Sequence, residues 1–439
     1  MPRLFRSKCV VALAMTGIAA LALPKGAFAQ SVVADFQAAP PQTPAAPTAP
    51  GNTVPPAPSP PSPAVAAPNS TAPNSNAIAE AQTTSTPGIG GAGAAQQFSL
   101  ATTPNMIGDL LGGNYMFVTG EFSGKLPTGG NIPIAGGDRQ GKISEDTSPI
   151  PTDRVFADYN HFNSAALTSD GRVIDVNRYT FGVEKTFFDG ACSIEIRAPI
   201  VSGLSANEFV PVGASDNEGT ALGDVSIIPK WLFARADTWA ASVGMSISLP
   251  TAPDVSNTVE TAEITRIEDE SLHLEPFVGL LLAPSTRLFS ISYVQLDFDA
   301  NGSPVTSRLL GGQPVGGGPT IYDGRLRDPT FLYVDVSVGY WLFDVRDESR
   351  GSWALGGYVS GIAPIVEMHY TTSLQAFSTH VSTVSSPFAG EDTLDMTAGL
   401  SFQLGPMSNL TLAACAPLLT SQRDKEFDSE LIVEFDRFF

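Results

Sequence analysis

Long stretches of this chain alternate residue by residue between apolar and polar, and nothing else in it narrows the possible folds as much. In TWAASVGMSISLP (238–250), Trp239, Ala241, Val243, Met245, Ile247 and Leu249 share one face, while Ser242, Gly244, Ser246 and Ser248 lie on the other. The same pattern runs through TFLYVDVSVGYWLF (330–343), DTLDMTAGLSFQL (392–404) and CSIEIRAPI (192–200). Strand side chains switch faces at every residue, whereas helical ones return every 3.6 residues, so these stretches predict strands. Strands of a soluble sandwich usually run five or six residues. Ten or more, with one continuous apolar face, is the span of a tilted strand crossing a bilayer. A closed barrel, apolar outside and polar within, satisfies every backbone group of such strands.

The connections support that reading. Tight turns at 188–191, 234–237, 283–286 and 405–408, with a slightly longer one at 346–351, alternate with long polar segments at 202–222, 251–270, 300–329, 372–391 and 420–428. The alternation predicts strands near 153–161, 173–187, 191–201, 223–234, 238–250, 271–283, 286–299, 330–344, 352–370, 392–404, 408–419 and 429–439. This is an all-β, antiparallel, up-and-down transmembrane barrel of about twelve strands, an even number that places both termini on the periplasmic side. The runs 292–300 and 356–370 lose phase, which predicts a bulge or bend in each.

The N-terminal quarter is different. Arg3, Arg6 and Lys8, an apolar run from Cys9 to Leu23 and Ala27-Phe28-Ala29 read as a signal peptide over 1–29 that exports the chain. Residues 30–103 are rich in Pro, Ala, Thr and Ser, as in PPAPSPPSPAVAAP (55–68), and predict a disordered periplasmic tether, read either as a link to peptidoglycan or as a tolerated spacer. The barrel domain then covers 104–439, with strands over 152–439 and an extra hairpin or plug over 104–151. The mature chain keeps Cys192 and Cys415, which lie far apart in sequence, could pair or stay separate, and are no disulfide framework. A formal net charge of −20 makes nucleic acid an unsuitable partner.

Projecting the alternation inward places Arg178, Glu184, Glu195, Arg197, Asp224, Lys230, Asp335, Asp395 and Glu434 in the lumen as candidates for setting selectivity. All four tryptophans, Trp231, Trp239, Trp341 and Trp353, flank the turns at 234–237 and 346–351, as in an interfacial aromatic girdle. No cofactor motif is present. The histidines His161, His273, His369 and His380 show no metal-ligand spacing, and no nucleophile elbow is present, so neither catalytic nor metal residues are assigned. His161, Asn163 and Ser164 lie together in sequence but not in the pattern of a catalytic set.

The domain resembles bacterial outer-membrane β-barrel proteins of porin-like or transporter type. Its closing segment SELIVEFDRFF (429–439) carries the most specific part of the likeness, since Leu431, Val433, Phe435 and Phe439 alternate toward a terminal aromatic. Arg437 departs from the apolar residue usual at that position. The resemblance implies residence in the outer membrane, contact with its lipid and recognition of this strand by the barrel-assembly machinery. The expected function is a channel passing small hydrophilic solutes, passively or by facilitation. The alternative is an anchor or adhesion barrel with a filled lumen, and a barrel hydrolase comes after both.

Overall fold

The computed structural model describes residues 103–109, 115–118, 130–133, 141–167, 173–202, 207–210, 220–259, 262–309, 320–344, 358–375, 378–379, 384–385, 392–419 and 427–439. The leader, nearly all of the Pro-rich arm, Trp353 and His380 lie outside them. Twelve antiparallel strands form the barrel: β1 (Arg154–Leu167), β2 (Val173–Phe187), β3 (Cys192–Ser202), β4 (Val225–Arg235), β5 (Trp239–Leu249), β6 (His273–Leu282), β7 (Leu288–Asp299), β8 (Phe331–Tyr340), β9 (Val359–Ser373), β10 (Asp392–Leu404), β11 (Ser408–Pro417) and β12 (Ser429–Phe438). Each pairs with its sequence neighbours, and β12 pairs with β1 from Ser429↔Asn163 to Phe438↔Arg154, which closes the ladder. A closed sheet has no edge strand, so no row of backbone donors is left unpaired.

The predicted faces hold. On β3, burial alternates from Ser193 to Val201, with Glu195 and Arg197 inside and Ile194 and Ile196 outside. Phe181, Val278, Val366 and Leu431, on four different strands, are each about half exposed. An apolar belt on several sides of the barrel far exceeds what a soluble monomer leaves bare. Trp231 and Trp239 point outward near the short turns, with Phe187, Phe188 and Phe233. Trp341 corrects the girdle expectation: it is buried inside, its ring 6.3 Å from that of Phe289. Cys192 and Cys415 are separate thiols, the latter buried.

Of the two runs that lose phase, the one ending in β7 keeps a continuous register, and β9 carries a shift at Val359/Gly361. A further shift on β1, between Phe162 and Ala166, lets that strand run on to Leu167, past the predicted end. The long connections are also more ordered than polar loops. Short strands at 207–210, 255–259, 262–267, 303–309, 320–327 and 378–379 pair into a separate six-stranded sheet, extending the long-loop end.

Aromatic rings on inward positions lie over inward glycines of the next strand. A Cβ on Gly182 would sit 2.1 Å from Phe156 Cζ, on Gly339 2.0 Å from Phe289 Cζ, and on Gly244 2.3 Å from Phe277 Cζ. Glycine is needed there because the ring occupies the place of a side chain. Phe156 has little room to turn away, since the Arg154 guanidinium stacks 4.2 Å from its centroid. Gly182→Ala is therefore expected to lower stability by about 1–3 kcal/mol, the usual cost of overpacking, read as the urea midpoint of the folded protein in detergent. An unchanged midpoint would mean that the ring shifts freely.

Candidate functional site

The candidate site is the lumen, where barrel strands meet two inner stretches, 103–109 and 141–150. These stretches pair with each other through backbone bonds between Met106 and Thr147. They also bond to inward side chains around the wall. Glu367 of β9 accepts the amides of Ile107 and Gly108, each at 2.9 Å, and Thr397 of β10 donates to the Gly108 carbonyl at 3.0 Å. One strand beyond β8, Gln295 of β7 accepts the Ile143 amide at 2.7 Å and donates to the Gly141 carbonyl at 2.9 Å. Strands 115–118 and 130–133 pair with each other, and the first also pairs with Val384–Ser385 in the connection between β9 and β10.

Two ionic centres hold this segment. At the first, Arg154 of β1 uses all five N–H donors. Its guanidinium bonds Asp146 Oδ2 and Asp436 Oδ1 at 2.7 Å, Glu184 Oε2 at 3.2 Å, Glu195 Oε2 at 3.0 Å and the Asp146 carbonyl at 2.5 Å. At the second, Lys142 lies 2.6 Å from Asp109 and 3.2 Å from Asp335. His369 continues that network, 2.9 Å from Asp335 and 3.1 Å from Glu367. Such groups tolerate burial only because each is paired and hydrogen-bonded. Just outside β1, Asp153 accepts bonds from Lys185 and from the amide and hydroxyl of Thr186. Burial works to raise that carboxyl, but these donors hold it below the ordinary aspartate value.

All nine lumen candidates are buried. Arg178 clasps Glu145 at 2.8 and 2.5 Å, Arg197 donates to Thr147 Oγ1 at 3.0 Å and pairs with Glu195, and Lys230 reaches Glu184 at 2.9 Å and the Ser148 carbonyl at 2.8 Å. Asp335 belongs to the Lys142 centre, Asp395 faces His369 across the β9–β10 ladder, and Glu434 sits opposite Asp158 between β12 and β1. Asp224 is different. It precedes β4 and accepts the amides of Thr251 and Ala252 at 3.0 and 3.1 Å, capping a long-loop connection instead of lining a strand. His161 lies 2.9 Å from Asn177 Oδ1, while the Ser164 amide donates to Asp175.

Sequence reasoning missed Arg154, Lys142, Asp109, Glu367 and Gln295. Arg154, Glu367 and Gln295 could have been found by extending the inward phase of their strands. Lys142 and Asp109 carry no periodic signal. It also missed the apolar share of the lumen, where Phe277, Leu281, Phe289, Ile291, Tyr293, Trp341 and Ile365 form a buried cluster with Met106, Ile107 and Ile143. Among the described buried residues, fourteen carboxylates stand against five lysines and arginines, so the interior is strongly acid-rich.

No protein-family model matches this sequence, and no curated protein does. Three solved structures are similar in outline. An outer-membrane channel from Pseudomonas putida F1 has 9% identity, covers 67% of this chain and 97% of that one, and gives a TM-score of 0.40. The β domain of the Bordetella autotransporter BrkA has 8% identity over 66% and 100%, with a TM-score of 0.39. The NanC porin has 8% identity over 65% and 99%, with a TM-score of 0.36. Likenesses at these scores carry no argument about activity. The closed ladder, apolar exterior and polar interior stand on their own, and by them the chain is a twelve-stranded β-barrel of the outer-membrane type.

Proposed function

We propose that the protein is an outer-membrane, porin-like channel for small hydrophilic solutes, with the inner segment as its closing element. The observation that carries this is how the segment is held: charged and amide side chains on β2, β3, β4, β7, β8 and β9 bond it directly. Water or a polar solute can replace such partners at modest cost, which is not true of apolar interdigitation. The excess of carboxylates favours cationic and neutral solutes over anionic ones. Arg178, Glu184, Glu195, Arg197, Lys230, Asp335, Asp395 and Glu434 then act as wall charges, and Asp224 acts on loop shape. In the same reading the barrel-assembly machinery recognises the closing strand, the mature chain keeps its termini in the periplasm, and the Pro-rich arm spans toward peptidoglycan.

A second reading, a filled anchor barrel, is favoured by one observation: the aromatic cluster fills one side of the lumen and packs on Met106, Ile107 and Ile143. Planar-bilayer recording separates the two. The mature wild type is expected to open in discrete steps, with cations preferred over anions. The double variant Lys142→Gln with Glu145→Gln, which removes two ionic holds on the segment, is expected to open more often or to a larger conductance. If neither protein conducts at any voltage while both remain folded barrels, the anchor reading stands and the channel does not.

A further inference from the structure

We propose that His273, Asp299 and Asp328 form a binding site for a divalent transition-metal ion at the long-loop rim of the barrel. The three residues come from different segments: His273 opens β6, Asp299 closes β7 directly opposite it, and Asp328 lies just before β8. One potential ligand atom from each falls within 4.8 Å of the other two. His273 and Asp328 are buried, and Asp299 is partly so.

The imidazole is oriented as a ligand would be. Its Nδ1 lies 2.7 Å from Asp297 Oδ1, and its Nε2 faces Asp328 Oδ2 at 3.4 Å. A carboxylate on the far nitrogen of a metal-binding histidine fixes the tautomer and leaves the other nitrogen's lone pair for the metal. A separation of 3.4 Å is long for a hydrogen bond. It matches the distance of about 3.3–3.5 Å between two ligands on a tetrahedral ion with bonds near 2.0–2.1 Å. Asp299 is held for the role by its neighbours. Its Oδ1 accepts the amides of Asn301 and Gly302 at 3.1 and 2.6 Å, and its Oδ2 accepts the Asp328 amide at 3.1 Å, which leaves one lone pair, on Oδ2, for a metal.

The other His–Asp–Asp group provides the contrast. Asp109, Asp335 and His369 also gather within 4.8 Å, but the Lys142 ammonium lies 2.6 and 3.2 Å from the two carboxylates and already serves as their cation. At the rim, the described partners of Asp299 are backbone amides, and Asp297 is bonded to the imidazole of His273. One imidazole and two carboxylates suit Zn²⁺, Co²⁺ or Ni²⁺ better than Ca²⁺, which asks for six to eight oxygens. Three protein ligands leave a coordination position open to water or a solute. An ion there would tie β6, β7 and the approach to β8 together where the six-stranded loop sheet begins.

The test is direct metal binding, which does not depend on whether the barrel conducts. Folded mature protein in detergent is stripped with a chelator, dialysed, and titrated with Zn²⁺ alone or with Co²⁺ alone. The expected result is about one ion per chain, intense visible bands from low-symmetry Co²⁺, and a higher unfolding temperature with metal than without. His273→Gln and Asp328→Asn should each lose the stoichiometric ion and the metal-dependent shift. Asp189→Asn, an exposed change in the tight turn at 188–191, should keep both. Should His273→Gln fail to fold, Asp328→Asn and the Co²⁺ spectrum of the wild type decide the matter. The proposal is overturned if the folded wild type takes up no ion, or if the folded variants bind as much as it does.

Discussion

Replacing Arg154 by methionine is expected to cost about 3–5 kcal/mol, the usual loss when one partner of a buried ion cluster is removed. Arg154 is only 1% exposed, and its five donors satisfy Asp146, Glu184, Glu195 and Asp436 together. Methionine fills much of the same volume, so the cost comes from carboxylates left without their cation and not from a cavity. Arg154→Lys should fall between the two, because one ammonium cannot present five donors in a plane. Both are checked by urea unfolding of the detergent-folded protein, with the wild type alongside. A methionine variant within about 1 kcal/mol of wild type would show that the network adds little net stability, the outcome sometimes seen when buried ion pairs are replaced whole. The same measurement bears on function, since Asp146 belongs to the inner segment. Losing Arg154 should loosen that segment as well as the wall.

Deleting Phe439 is expected to reduce the amount of barrel assembled in the outer membrane far more than deleting a block of the Pro-rich arm within 55–68. The contacts that Phe439 makes are small. Its amide donates to the Asp153 carbonyl at 3.2 Å, the Lys185 ammonium lies 5.2 Å from its ring centroid, and the ring is 58% exposed. An exposed cation–π contact contributes about 0.5–1 kcal/mol, too little to unfold a closed barrel. A large fall in assembled protein, with a nearly unchanged urea midpoint for the molecules that do fold, would therefore point to recognition of the closing strand during insertion. The assay is the heat-modifiable, membrane-extracted fraction after equal expression. Equal assembly of the two deletions would remove the role given to Leu431, Val433, Phe435 and Phe439. The outward exposure of Leu431 and Phe435 agrees with that role without testing it.

Much of this architecture was legible because period two is a local property. Each barrel strand buries one face in the lumen and turns the other outward, so the pattern printed itself on 192–202, 239–249, 331–340 and 392–404 almost to the residue. Where a strand carries extra residues, the regular ladder breaks: β1 advances four residues from Phe162 to Ala166 while β2 advances two, and Ser164 with φ 58° marks the place where the sequence boundary fell short. The loop strands escaped notice for another reason. A stretch such as AEITRI (262–267) mixes polar and apolar residues without the long clean faces of the barrel strands, so no alternation of that length marks it. Trp341 shows the cost of letting residue type outrank phase. Its neighbours Tyr340 and Leu342 point outward, and the alternation alone would have turned the indole in.

The sequence by itself determined the class of molecule: twelve strands, their order, which face is apolar and turned outward, and several of the charges that turn inward. Those follow from covalent alternation along a strand and from the need to pair every backbone group within a bilayer. The tertiary structure alone decided what fills the lumen. Lys142 meets Asp335, Glu367 meets the amides of Ile107 and Gly108, and His273 meets Asp328, each across a long sequence interval. No periodicity encodes such meetings. They depend on the register and closure of the whole ladder, which brings distant inward positions to the same height and leaves their charges no solvent to face but one another.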